Sequence, residues 1–120
     1  MSFMFENLKV YQKAVDLAEI VSEATETLPR GSSHLNDQLN RAALSISTNL
    51  AEGNGRFTKA DRKNFFIIAR GSTQECVPIV EICRRRNLIS ESLATETKAR
   101  LEEISKMLSG LIKGLDNRQL

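Results

Sequence analysis

Leu39, Ala43, Ile46 and Leu50 recur at alternating intervals of four and three, while Arg41, Ser45, Asn49 and Glu52 occupy a narrow sector roughly opposite. At about 100° per residue this pattern is that of an α-helix with one apolar and one polar stripe. Such a helix must cover its apolar stripe with other elements, so the question becomes what the rest of the chain supplies. With two prolines, six glycines, no tryptophan and abundant Leu, Ile, Ala, Glu, Lys and Arg, it supplies more helix. A chain of 120 residues is one domain and large enough to bury a core without disulfides or metal.

Four segments carry helical period, predicted at about 9–28, 34–53, 58–87 and 91–115. The first places Val10, Ala14, Leu17, Val21 and Leu28 on one face and is stopped by Pro29, Arg30 and Gly31. The second begins after Ser32 or Ser33, either of which suits an N-cap, and ends at Gly53, which can adopt the left-handed conformation that closes a helix. Thr58 followed by Asp61 opens the third in the manner of a capping box. Its inner stripe is predicted as Phe65, Ile68, Ala69, Ser72, Cys76, Ile79, Val80 and Cys83, with a kink rather than an end at Pro78. The fourth starts near Ser90 or Ser92 and turns Leu93, Thr97, Leu101, Ile104, Leu108, Leu111 and Leu115 inward. Short connections favour antiparallel neighbours, so the expected fold is all-α: an antiparallel up-down-up-down four-helix bundle spanning 1–120 as a single domain.

The formal charge of +2 names no partner, but its distribution is uneven. Residues 36–90 hold nine Lys/Arg against five Asp/Glu, and the remainder holds eight against ten. No run of about eighteen apolar residues is present, so no membrane partner is expected and the protein reads as cytoplasmic. Cys76 and Cys83 lie two helical turns apart, roughly 10 Å along the axis, too far to bridge within a regular helix. Two thiols and the lone His34 do not make a metal site, so both cysteines read as small core residues and no cofactor is expected.

Phe5-Glu6-Asn7-Leu8, Gln38 with Arg41-Ala42-Ala43, Ser45, Asn49-Leu50-Ala51-Glu52-Gly53, and Gly71-Ser72 with Glu75 recur in a known order. From Phe5 to about Leu111 the chain resembles the four-helix bundle family of 23S rRNA intervening-sequence proteins, also called S23 ribosomal-protein-like. The resemblance implies a cytoplasmic bundle that assembles into a ring-like homo-oligomer, a pentamer, without enzymatic activity. A related branch of that family's fold accompanies the reverse transcriptases of diversity-generating retroelements and looks like a nucleic-acid and protein adaptor.

The candidate site residues fall into two groups. Arg41, Ser45, Asn49, Glu52 and Gly53, with Gly71, Ser72 and Glu75, form a structural or interface stripe. Its polar members are expected to bond across helices two and three, with subunit contact and a ligand role as rivals. A glycine within a helix costs about 0.5–1 kcal/mol, so Gly71 is expected to permit close approach by helix two or a neighbouring subunit. Arg56, Lys59, Arg62 and Lys63 around the start of helix three, with Phe57 among them, and Arg84, Arg85 and Arg86 at its end are the nucleic-acid-binding candidates. Each cluster alone reads as a solvated helix end. Repeated on every subunit of an oligomer, they become a surface able to neutralise several RNA or DNA phosphates. No catalytic residue or acid-base pair stands out, so the chain reads as a non-catalytic nucleic-acid-associated protein, with a protein-interaction scaffold as the alternative. Tyr11, Val15 and Ile20 are the exposed apolar residues expected to serve that second role.

Overall fold

The computed structural model describes residues 3–117. Four helices occupy them: α1 over Lys9–Thr25, α2 over Ser33–Asn54, α3 over Lys59–Arg85 and α4 over Glu91–Asn117. Short 3-10 turns at Met4–Asn7 and Arg30–Ser32 precede α1 and α2, and no strand occurs among the described residues. Each helix packs against its sequence neighbours, and α1 closes on α4. Contacts join opposite ends of consecutive helices, as antiparallel neighbours require: Thr25 meets Asn40, and Lys63 meets Asp116.

The core follows from the apolar stripes. Val10, Ala14, Leu17 and Val21 of α1, Leu39, Ala43, Ile46 and Leu50 of α2, and Leu101, Ile104, Leu108 and Leu115 of α4 are all buried. Each large aliphatic side chain removed from water contributes roughly 1.5–3 kcal/mol before entropy is subtracted. Cys76 and Cys83 are free thiols within this core. Burial, with the nearby Glu75 carboxylate, pushes the Cys76 thiol up to about 12, and burial also raises Cys83. Both therefore sit as neutral small side chains at neutral pH.

Several sequence expectations need correction. In α3 Phe66, not Phe65, is the fully buried ring, while Ile68 is 43% exposed and Thr73 is buried. α1 stops at Thr25 rather than 28: the Thr25 hydroxyl donates to the Val21 carbonyl and accepts from Asn40 Nδ2 at 2.8 Å, and Leu28 is only half-buried beyond it. Ser32 holds the N-cap position of α2 but makes no side-chain cap bond, because its hydroxyl donates to the Pro29 carbonyl instead.

The remaining helix ends have clear causes. Thr58 Oγ1 accepts the Asp61 amide at 3.1 Å, and Ser90 Oγ accepts the Leu93 amide at 3.0 Å, so both act as N-caps. α3 continues through Pro78 and closes where Asn87 takes φ 60°. There the Asn87 amide bonds the Arg84 carbonyl and the Leu88 amide bonds the Cys83 carbonyl, a Schellman closure with asparagine in the left-handed position.

Gly53 ends nothing. It lies inside α2, no glycine among the described residues has positive φ, and α2 runs on to Asn54. A Cβ at Gly53 would stand 2.7 Å from Phe66 Cε1 and 3.1 Å from Phe65 Cβ, so the glycine is there to let α3 approach. Gly71 is the reverse case. It is exposed, and a Cβ there would meet nothing within 4 Å, so helix two does not approach it.

Candidate nucleic-acid interface

The polar stripe of α2 divides into bonded and open parts. Ser45 Oγ and Ser72 Oγ share a hydrogen bond of 2.9 Å across α2 and α3, as expected. Asn49 Nδ2 donates to both the Ser45 carbonyl and the Ser45 hydroxyl, fixing that hydroxyl from within α2. Arg41 and Glu75 are exposed on a polar groove and form no ion pair among the described residues. Glu52 pairs instead with Arg56 at 3.1 Å, near the C-terminal end of its own helix. The stripe therefore locks the middle of the α2–α3 seam and leaves its ends to solvent.

The basic candidates separate into two distant sites. At 1.5 Å per helical residue, Arg62 and Arg84 lie about 33 Å apart along α3, so one subunit cannot merge the clusters. At the C-terminal end, Glu81 accepts from Arg84 Nε and Nη2, from Lys98 across the seam with α4, and from Arg85 Nε. These bonds, Arg84 foremost and then Lys98 and Arg85, hold the Glu81 carboxyl well below the usual carboxylate range. Two arginines of the triplet are thus answered within the chain, and the third, Arg86, has no acidic partner among the described residues.

Because the Glu81 carboxyl is depressed in the folded protein, it stabilises the fold above its ordinary titration near 4.3, and that contribution fades as pH falls below it. Glu81→Gln is therefore expected to unfold at lower urea than the unsubstituted protein near neutral pH. The gap should close as pH drops below about 4. A pH-independent gap would contradict the ion-pair account.

The other end of α3 is more open. Arg62 Nε donates to the Arg56 carbonyl at 2.7 Å, which fixes its stem, and no carboxylate pairs with its guanidinium among the described residues. The Arg56 guanidinium lies 4.7 Å from the Phe65 ring centroid, and Lys63 pairs with Asp116 at 2.8 Å. Lys59 opens α3 beside them. Phe57, in the turn between α2 and α3, is 100% exposed.

Sequence reasoning missed the neighbour that completes this corner. The turn Met4–Asn7 contacts α2 as well as α1 and brings Phe3, Met4 and Phe5 to a cleft shared with Arg56 and Arg62. Phe5-Glu6-Asn7-Leu8 was legible as a motif, but nothing in its spacing told where it would pack.

Among the described residues no group of three or more His, Cys, Asp or Glu could hold a metal ion, and no described helix is long and apolar enough to cross a membrane. Fold and surface thus define an all-α four-helix protein whose distinguishing features are contact surfaces. Over residues 6–110 the chain matches the 23S rRNA-intervening sequence protein family, and it belongs to that family. A solved structure from Bacteroides thetaiotaomicron, a protein of unknown function from the S23 ribosomal protein family, is similar with a TM-score of 0.79. The match covers 87% of this chain and 98% of the other at 24% identity, a likeness of fold. No curated protein matches.

Proposed function

We propose that the protein is a non-catalytic RNA-binding bundle that works as a ring-like homo-oligomer, a pentamer, in the cytoplasm, and that the α2–α3 corner faces the RNA. The observation that carries this reading is the full exposure of Phe57 in a turn flanked by Arg56, Lys59 and Arg62. An exposed aromatic ring among cations offers what a nucleic-acid binder uses, a face on which a base stacks beside charges that neutralise phosphates. The name of the family points to RNA. Arg84 and Arg85 contribute less, because Glu81 already answers their charge.

Repetition of the corner around an oligomer compensates for its modest charge per subunit. RNA binding measured by fluorescence anisotropy at rising salt is expected to weaken with a log-log slope of about −1.5 or steeper, equivalent to at least roughly two phosphates neutralised in the complex. Absence of binding at low salt, or affinity indifferent to salt, contradicts the proposal.

A scaffold for another polypeptide is the second reading. It is favoured by the apolar side chains Ile67, Ile68, Val77 and Ile82, which α3 exposes to solvent. They replace Tyr11 and Ile20, both half-buried, as the surface on which that reading stands; Val15 remains exposed. A pull-down that survives nuclease treatment and is lost on changing those α3 residues supports it.

A further inference from the structure

The cleft between the N-terminal turn and the α2–α3 corner measures about 970 Å³, and its lining includes Phe3, Met4, Asn54, Arg62 and the paired Glu52 and Arg56. Its aromatic wall is anchored. Phe5 meets the Tyr11 ring edge-on at 5.0 Å, and Phe3 stacks on Phe5 at 5.6 Å with 14° between the planes. The Phe3 amide donates to Glu6 Oε1 at 2.8 Å, and Gln12 Nε2 donates to the Glu6 carbonyl, so the turn is tied to α1. The stack ends on Phe3, which remains 69% exposed. Met4 beside it is 90% exposed.

Across the cleft, Arg62 is held by its Nε while its terminal nitrogens have no carboxylate partner among the described residues. An exposed ring held in place and an unanswered guanidinium on one cleft are complementary to a base face and a phosphate. Duplex RNA hides its base faces in the helical stack, and an apolar peptide leaves Arg62 without an anion. We infer that this cleft binds an unpaired nucleotide of single-stranded RNA, with the base stacked on Phe3 and the phosphate on Arg62. The inference rests on the RNA-binding reading and narrows it to unpaired strands.

Binding of an oligouridylate of about ten nucleotides and of a hairpin duplex tests it, using the full chain and Phe3→Ala. Phe3 is exposed, so the variant is expected to fold, which circular dichroism checks. Loss of one stacking contact should weaken the oligouridylate about tenfold, leave the salt slope unchanged and move hairpin affinity by less than about twofold. Arg62→Gln should weaken binding and make the slope shallower. Unchanged oligouridylate affinity in Phe3→Ala, or an equal loss for the hairpin, overturns the inference. If the hairpin binds and the oligouridylate does not, the cleft assignment fails while RNA binding stands. Binding of neither overturns both.

Discussion

Gly53→Ala is expected to lower stability by about 2 kcal/mol in urea unfolding, although the same change improves intrinsic helix propensity by roughly 1 kcal/mol. The added methyl would sit 2.7 Å from Phe66 Cε1, 3.0 Å from Cδ1 and 3.1 Å from Phe65 Cβ. Phe66 is buried, so its ring can yield only by displacing its own neighbours in a close-packed interior. Relief through backbone motion would separate α2 from α3, the pair joined by the Ser45–Ser72 bond.

Gly71→Ala supplies the opposite sign. Its new methyl meets nothing, so only propensity acts, and stability should rise by about 0.5–1 kcal/mol. Two glycine-to-alanine changes in helix interiors thus move urea midpoints in opposite directions. Equal effects would mean that close approach is not what Gly53 provides.

Leu50→Ala is the larger loss, about 3 kcal/mol, because Leu50 is wholly buried and its removal leaves a void among side chains from the facing helices. Leu44, in the same helix, is 56% exposed, and Leu44→Ala should stay within about 0.5 kcal/mol of the unsubstituted protein. The contrast separates burial from the helix-forming tendency of leucine, which both positions share. Comparable losses at both would place the α2 apolar stripe elsewhere than in the core.

What the sequence could reveal depended on whether its periodicity was unambiguous. In α2 the large apolar residues fall mostly on one helical stripe, and Leu39, Ala43, Ile46 and Leu50 are buried as their spacing requires. In α3, Phe65-Phe66-Ile67-Ile68 is an uninterrupted apolar run, so spacing alone cannot choose which ring faces inward. Gly53 misled for a different reason. Followed by Asn54-Gly55 it has the composition of a helix stop, whereas its cause is a phenylalanine on another helix.

The candidate site was legible only in part. The cations around the start of α3 are adjacent in sequence, but some of the acids that answer basic residues come from afar, as with Asp116 for Lys63 and Glu81 for Lys98. Such pairing is a property of helix packing, invisible to local charge counts. The Phe3 cleft likewise exists only once the N-terminal turn has folded onto α2.

Mapping backbone amide shifts by nuclear magnetic resonance as single-stranded RNA is added tests the assignment of the α2–α3 corner most directly. Shifts are expected chiefly in two segments, Phe3 to Asn7 and Gly55 to Lys63, with smaller ones at Arg84 to Arg86. Shifts centred on Arg84 to Arg86, or none in the corner at saturating RNA, would contradict it.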